Sequence, residues 1–170
     1  MGSTLTVDNI EGATASGVIN MKNHVINHTR AIATIIGSTQ SITSDSYTDV
    51  TGSSFSYTPV KADSKIILHY YGHCRTLGAA NQDVFAGLRP HFNGAAGNAF
   101  VLQGDNLGKL GDSIYFPFYY TITQQIAAAD HTTSAIAMKL QGRAGSNGQT
   151  LQFTNNAQSS VFLDVWEIGQ

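Results

Sequence analysis

Apolar and polar residues alternate along most of the chain, which is the pattern of strands rather than helices. The clearest example is the segment from Ser64 to Arg75. Successive side chains of a strand point to opposite faces, so one alternating set there is expected to face a core. The set predicted to face inward is Ile66, Leu68, Tyr70 and Cys74. The set predicted to face outward is Lys65, Ile67, His69, Tyr71, His73 and Arg75.

Three further segments carry inward-facing sets of the same period. These sets are Val84, Ala86, Leu88 and Phe92; Ile114, Phe116, Phe118, Tyr120 and Ile122; and Ile136, Met138 and Leu140. Pro117 interrupts the opposite face of the middle set, and a proline within a strand favours an edge or a bulge. The one helix-compatible stretch, 123–130, is too short to change the predicted class.

Turn residues separate these segments. The stretch Asp49–Gly52 is predicted to join two short strands, and 94–97 and 104–108 are predicted loops. Residues 143–148 are predicted to form a hairpin loop between the runs 133–142 and 149–154, with Asn147-Gly148 as the strongest turn pair. The pattern therefore predicts an all-β fold of about nine or ten strands, an antiparallel β-sandwich or a barrel. Periodicity does not encode strand order, so a jelly roll and other Greek-key sandwiches stay open.

The C-terminal run 160–168 is apolar on both of its faces. Val161, Leu163 and Val165 share one face, and the other face carries Phe162, Trp166 and Ile168 with Asp164 among them. A strand that is apolar on both sides is expected to be covered on both sides. In a small sandwich the second cover is expected to be another subunit, so the run predicts a homo-oligomer.

The outward row of the 64–75 segment is a second candidate for that subunit interface. His69, Tyr71, His73 and Arg75 alternate there, and protein interfaces select aromatic residues and arginine. A ligand or carbohydrate surface is the alternative interpretation of the same row. The predicted interface is therefore Phe162, Trp166, Ile168, His69, Tyr71, His73 and Arg75.

Residues 1–30 differ from the rest of the chain because they show no sustained period. They are predicted to form an extended N-terminal arm that packs against something else, and residues 31–170 are predicted to form the β-sandwich domain. An isolated arm of this kind could not bury enough surface to offset the entropy of ordering its backbone, so a partner must supply its order.

Composition and charge exclude several classes of function. The 170 residues carry a formal net charge of -2, and only 12% of them are charged, with the basic residues scattered. Without a basic stripe, no nucleic-acid partner is predicted. No apolar run approaches the roughly 20 residues that cross a bilayer, and no secretory signal is seen, so no membrane partner is predicted. The single cysteine, Cys74, allows no intrachain disulfide and is predicted to be a buried thiol.

No catalytic or metal-binding motif stands out. His24 and His28 have i, i+4 spacing, but the surrounding sequence is not helical and offers no further ligand at a matching distance. Asp105, Asn106 and Asp112 could supply oxygen ligands, yet their spacing is not that of a calcium loop. The expectation is a protein that is not an enzyme, with no catalytic residue, no metal and no cofactor.

Several phrases of the sequence resemble small virion proteins of tailed phages, especially marine and cyanobacterial ones. The phrases are Ser3–Thr14, Ser44–Gly52, Tyr57–Pro59, Ser64–Leu68 and the closing Glu167-Ile168. They are short and separated by gaps, and they occur in tail fibres, head fibres and capsid decoration proteins. The resemblance implies a trimeric, jelly-roll-like module without catalytic residues.

Within this resemblance the chain is expected to be a capsid decoration (cement) protein. A fibre needs a long shaft or a sizeable anchoring domain, whereas only about 30 residues precede the predicted sandwich. The implied partners are further copies in a homotrimer and the major capsid protein, on the capsid exterior, after assembly in the host cytoplasm. The arm residues expected to bind the capsid are Leu5, Val7, Ile10, Val18, Ile19, Val25 and Ile26.

The alternative is a tail-fibre or head-fibre tip that binds a host surface glycan. Under that alternative, the loops 93–112 and 143–149 are expected to hold the glycan. Loss of a glycan signal on mutation of Tyr71 or Arg75 would favour it.

Overall fold

The computed structural model describes residues 25–33, 39–78, 84–104, 114–145, 149–153 and 161–169. These residues form two antiparallel sheets, which confirms the predicted all-β sandwich. The strands are β1 Val25–Ala33, β2 Gln40–Ile42, β3 Thr48–Asp49, β4 Phe55–Tyr57, β5 Lys65–Gly78, β6 Val84–Phe92, β7 Ala95–Ala96, β8 Phe100–Gly104, β9 Ile114–Ile126, β10 Ile136–Ala144, β11 Thr150–Phe153 and β12 Val161–Ile168. The described part of the chain thus holds twelve strands, several of them very short, where nine or ten were predicted.

We call the two layers the front sheet and the back sheet. In the front sheet the order is β1-β12-β5-β9, and β11 and β2 extend the lanes of β12 and β1 beyond residue 74 of β5. In the back sheet β10 pairs with β3 and β4 on one side and with β6 on the other, and β6 pairs with β8 and β7. All of these pairs are antiparallel. Several of them, such as β1 with β12, join strands that are distant in the sequence.

The strand order defines a jelly roll. When β3 and β4 are counted as one lane, and β2, β7 and β11 as extensions, eight principal strands remain. In chain order they are arranged 1-8-3-6 in the front sheet and 2-7-4-5 in the back sheet. This is the double Greek key of jelly rolls, and the topology therefore answers the question that periodicity left open.

The core lies between the two sheets and is built from the predicted inward sets. Ile66, Leu68, Tyr70 and Cys74 of β5 are each 0% exposed. From the back sheet, β10 contributes Ile136, Met138 and Leu140, β6 contributes Ala86 and Leu88, and Phe92 packs against the cluster. Val161, Leu163 and Val165 of β12 close it from the front sheet. Pro117 lies in β9, which in the described structure pairs only with β5 and is therefore an edge strand, as its proline favoured.

The predicted hairpin at 143–148 is wrong. The strand before it, β10, belongs to the back sheet, and the strand after it, β11, pairs with β5 and β2 in the front sheet. The connection therefore crosses between the layers. The Asn-Gly pair that makes a tight hairpin is Asn93-Gly94, where both residues have positive φ (47° and 83°) and β6 pairs back onto β7.

Two other boundaries differ from the prediction. The helix-compatible stretch 123–130 continues β9 as far as Ile126 and ends in a 3-10 turn, Ala128–Asp130. The predicted division between arm and sandwich at residues 30 and 31 falls inside β1, which pairs with β12 along its length. Residues 25–30 are therefore a strand of the front sheet.

Candidate functional site

The outer surface of the front sheet, which we call the front face, gathers most of the predicted interface. Strand register places Phe162 beside Tyr71 and Asp164 beside His69. On the other side of β12, Trp166 lies opposite His28 and Asp164 lies opposite Arg30. Because these positions alternate with the buried ones, their side chains share the face that points away from the core.

The rings of the front face form a row in which three contacts are stacked and one, between His69 and Tyr71, is tilted by 32°. Ring centroids are 5.0 Å apart for Tyr71 and Phe162 and 5.2 Å for His69 and Tyr71. Trp166 lies between two imidazoles, 5.5 Å from His69 and 5.7 Å from His28. Each of the three central rings thus has two ring neighbours, within the range of favourable aromatic contacts. The row presents mainly ring edges to the outside, because its ring faces cover one another.

Asp164 carries the negative charge at the centre of this face. Its side chain is only 6% exposed, and it accepts hydrogen bonds from Arg30 Nε at 2.8 Å and Arg30 Nη2 at 3.2 Å. His28 Nε2 lies 3.6 Å from the same carboxylate. The bidentate hydrogen bonds from Arg30 hold the pKa of Asp164 below its ordinary value. The charge of Asp164 is therefore paired within one chain.

The remaining predicted interface residues lie on the same sheet. Ile168 is half-buried at the end of β12 beside Val25, and His73 and Arg75 continue the outward row of β5. Arg75 Nε donates to Gln152 Oε1 at 2.9 Å. Burial, and then the charge of Arg75, lowers the pKa of His73. The structure thus brings all seven residues to one face, and their role as a subunit interface stays a prediction.

Other predicted site residues are placed only in part. Val25 and Ile26 begin β1, with Val25 58% exposed. Leu5, Val7, Ile10, Val18, Ile19, His24, Asp105, Asn106 and Asp112 lie outside the described residues. The capsid-binding role of the arm stays a prediction.

The inward side of β12 carries a second carboxylate, which the sequence interpretation missed. Glu167 is 0% exposed. One of its oxygens accepts hydrogen bonds from Tyr57 Oη at 2.5 Å and from the amide of Val60 at 2.8 Å; the other accepts from the Lys61 amide at 2.8 Å and from Ser64 Oγ at 2.7 Å. Burial raises the pKa of Glu167, but these hydrogen bonds outweigh it and hold the pKa below its ordinary value.

Glu167 is a structural clamp. It ties the connection between β4 and β5 to β12, and Asn27 Nδ2 adds β1 by donating to Tyr57 Oη at 3.0 Å. His131 Nε2 lies 2.8 Å from the carbonyl oxygen of Ser64, which brings in the connection after β9. Four donors satisfy this carboxylate, so no lone pair is left free for chemistry.

Cys74 is also accounted for by packing. The thiol lies in the core, and burial raises its pKa well above the ordinary range. A thiol that stays protonated is a poor nucleophile and a poor metal ligand. The prediction of a buried thiol is confirmed.

The outer surface of the back sheet, which we call the back face, is different in chemistry. Lys139, Gln141 and Arg143 of β10 and Arg89 and His91 of β6 point outward there. Asp49 accepts hydrogen bonds from Lys139 Nζ at 2.7 Å and from Gln141 Nε2 at 2.8 Å. The alternation of 139, 141 and 143 against Met138 and Leu140 is the sequence signal that could have identified this face.

The described residues also bear on metal binding and on membrane crossing. They contain no group of three or more His, Cys, Asp or Glu side chains arranged to hold a metal ion. No helix in that part of the chain has the length and hydropathy of a membrane span.

Comparisons with known proteins give only distant likenesses. No protein-family model matches the chain, and no curated protein sequence matches it significantly. Similar solved structures include the dimeric latent PorU from Porphyromonas gingivalis, at 8% identity and a TM-score of 0.39 over 94% of this chain. They also include infectious bursal disease virus Gx strain, at 13% and 0.31, and the infectious bursal disease virus VP2 subviral particle, at 12% and 0.30, each over 85% of this chain.

This chain spans 14%, 36% and 38% of the lengths of those three proteins. Two of these three structures come from a virus, and none of the three indicates a tailed phage. At these scores the likenesses carry no argument about the function of the chain.

Proposed function

We propose that the chain is a structural protein of a virus particle, a capsid decoration (cement) protein that forms trimers and bridges capsid subunits. The resemblance of its sequence phrases to phage virion proteins is one support. The observation that carries the proposal is the front face, a continuous row of stacked rings around a charge pair that is already neutralised.

A second copy of the chain suits this face. The rings offer apolar surface, and the centres of protein interfaces are enriched in aromatic residues. Asp164 is paired with Arg30 inside each copy, so identical faces can approach without an unpaired buried charge. In the proposed trimer, Phe162, Trp166 and Tyr71 contact neighbouring subunits.

The cement function follows from summed contact area. Each trimer would touch several capsid subunits at once, and its N-terminal arm would lie across them, so that the burial of apolar surface resists expansion of the head from within. The major capsid protein is the proposed partner, on the outside of the capsid. Nucleic acid and membrane take no part.

A non-catalytic role agrees with the state of the reactive groups. Glu167 is held by four donors, Asp164 by Arg30, and the thiol of Cys74 is buried. Each of these groups has a structural task in the sandwich, so we propose that the protein works through contact alone.

The direct test is to image the intact particle and count the copies. A cement protein is expected on the head lattice in a fixed ratio to the major capsid protein. Placement of the protein at a few fibre positions would contradict the proposal and support the alternative. The mass of the purified chain in solution is expected to be three times 18.1 kDa.

The arm is tested by a truncation that leaves the sandwich intact. Deletion of residues 1–24 stops before β1, so the front sheet keeps its pairing with β12. The truncated protein is expected to stay trimeric and to lose capsid binding. Full capsid binding by the truncated protein would exclude the arm as the anchor.

The alternative function is a fibre tip that binds a host glycan. The described start of the first loop lies far from the second loop, whereas Gln103, further along the first, pairs with Phe85, which Gly145 and Gln149 of the second also contact. The amide of Asn93 donates to Ala137, whereas the amide of Gly145 donates to Phe85. Phe85 and Phe92 lie near opposite ends of β6, about 24 Å apart along an extended strand. The row with Tyr71 suits a sugar poorly, because its ring faces cover one another.

A further inference from the structure

Two arginines share one tyrosine on the back face. The guanidinium carbon of Arg89 lies 4.1 Å from the centroid of the Tyr47 ring, and that of Arg143 lies 5.2 Å from it. Both distances are within the range of cation–π contacts. Arg89 is also held by a hydrogen bond from its Nε to Gln141 Oε1 at 2.9 Å. Tyr47 therefore brings two positive charges together, although like charges repel.

These two charges have no acidic counterpart in the described structure. Among the described residues, no carboxylate oxygen lies within 4.0 Å of either guanidinium. One acid on this face, Asp49, is occupied by Lys139 and Gln141. On a chain whose net charge is -2, this is a local excess of positive charge.

Gly87 makes room for the arrangement. A Cβ atom at this position would lie 2.6 Å from Tyr47 Oη and 2.9 Å from Arg143 Nε. A third contact would be with Arg143 Cγ at 3.0 Å; all three atoms belong to side chains, so a methyl group would displace the side chains of Tyr47 and Arg143. Because Gly87 has no side chain, Tyr47 and Arg143 can lie close to the sheet.

A groove continues the same face toward the other end of β10. It has a volume of about 630 Å³, and Phe55, His91, Ala137, Met138 and Lys139 line it. His91 and Lys139 lie two residues from Arg89 and Gln141 on their strands and point to the same side of the sheet. A ligand longer than one charged group can therefore reach from the two arginines into the groove.

We propose that the back face binds an acidic glycan, and that Arg89 and Arg143 hold a carboxylate or sulfate group of it. Guanidinium groups match the planar geometry of such oxyanions and donate paired, charge-assisted hydrogen bonds to them. The hydroxyl group of Tyr47 provides a neutral polar group next to this site, which suits a sugar hydroxyl. The site goes beyond the proposed cement role and stands whether or not that role is correct.

An acidic peptide fits the same charges less well. Extended peptides gain much of their affinity by adding a strand to a sheet edge, where backbone groups are free. The two arginines project from β10 and β6, which pair with each other, so the site is the face of a sheet and not its edge. The ligand must be recognised by side chains alone, as a glycan is.

The experiment is calorimetric titration of the full chain with short oligosaccharides. Oligogalacturonate and a heparin-derived oligosaccharide carry carboxylate and sulfate, and a neutral malto-oligosaccharide of equal length is the control ligand. Saturable binding of at least one acidic oligosaccharide, with none of the neutral one, is expected. The absence of saturable binding by both acidic ligands overturns the proposal.

Three variants distinguish binding at a defined site from general attraction between the positive charges of the protein and the acidic oligosaccharide. Arg143→Gln removes one guanidinium of an exposed side chain and is expected to weaken binding about ten-fold, the effect of one lost charge-assisted pair. Gly87→Ala keeps every charge and displaces Tyr47 and Arg143, and a similar loss is expected. Lys65→Gln removes one positive charge from the front sheet, and its affinity is expected to stay within about two-fold of the native chain.

Three results would overturn the proposal. Equal affinity for an oligoglutamate peptide would show that the ligand class is wrong. Native affinity of Gly87→Ala, or an equal loss in Lys65→Gln, would show attraction by net charge without a site. All variants are first compared with the native chain by thermal unfolding, and Arg89→Gln replaces any variant that does not fold.

Discussion

The two outer faces of the sandwich differ in the neighbours that surround their charged side chains. On the front face, five rings cover one another, and the buried Asp164 is neutralised by Arg30. On the back face, two guanidiniums gather on one tyrosine, and no carboxylate of the described residues pairs with them. Each face is one side of a sheet whose other side forms the common core.

The difference shows what kind of partner each face can accept. Where a buried charge is paired internally, as Asp164 is with Arg30, the surrounding rings offer apolar area to another protein, because that carboxylate does not have to be separated from its counter-ion. Two guanidiniums that share one ring repel each other, and an added anion relieves that repulsion. Contact with copies of the chain therefore suits the front face, and an anionic ligand suits the back face.

The largest expected effect concerns the strand on which the front face depends. β12 can present Asp164 outward only while Glu167 is held inward by its four donors. Glu167→Ala leaves buried donors unsatisfied, so we expect a loss of about 3 kcal/mol or more in the free energy of unfolding. Urea denaturation measures it, and a loss below about 1 kcal/mol would show that the clamp is dispensable.

Self-association is the next largest effect. Phe162→Lys places a charge in the ring row of the front face, and we expect the proposed trimer to dissociate at least about 100-fold more readily, since the ammonium must be desolvated. Phe85→Lys is the matched control, because Phe85 is 37% exposed and lies on β6 of the back sheet. Light scattering after gel filtration measures both masses. Equal masses for the two variants would show that the front face is not the surface that mediates self-association.

A pair of glycines tests which side of the back sheet is the outer one. A Cβ at Gly142 would lie 2.8 Å from Leu151 Cδ2 and 3.2 Å from Ile42 Cδ1, both in the core, whereas a Cβ at Gly87 meets the ends of outward side chains. We expect Gly142→Ala to cost about 1–3 kcal/mol through overpacking, and Gly87→Ala less than about 1 kcal/mol, the usual range for surface changes. Thermal unfolding distinguishes them; the reverse order would contradict the assigned sides.

The sequence predicted the parts of the fold that depend on neighbouring residues. The inward sets of β5 and β10 and the buried position of Cys74 are correct, because a period of two reports directly which side of a strand a residue occupies. The same logic correctly separated Phe162 and Trp166 from Val161 and Leu163. The residue pattern of one strand carries this information by itself.

The parts that depend on distant pairing were not predictable in this way. Arg30 and Asp164 are 134 residues apart, and only the pairing of β1 with β12 brings them together. The hairpin at 143–148 failed because turn residues indicate that the chain reverses without indicating which sheet it enters. Glu167 did carry a local signal, since it shares the parity of the buried Val161, Leu163 and Val165.

The smallest expected effect compares the two faces through their aspartates. Asp164 and Asp49 each accept two side-chain hydrogen bonds, but the Asp164 side chain is 6% exposed and that of Asp49 is 53% exposed. Hydrogen bonds from Arg30, and from Lys139 and Gln141, hold both pKa values below the ordinary 3.8. A lowered pKa gives stability that is present above that ordinary value and is lost as the pH falls through the folded pKa.

The native chain should therefore lose stability below about pH 4, and Asp164→Asn should remove more of that dependence than Asp49→Asn. The exposed Asp49 carboxylate is screened by solvent and its pair contributes little, whereas on the front face the Asp164 carboxylate is buried although Arg30 is 56% exposed. Thermal midpoints of the three proteins, measured from pH 7 down to pH 2.5, test this order. Equal flattening of both curves would mean that solvent reaches Asp164 as freely as Asp49, and that the ring row does not close the front face.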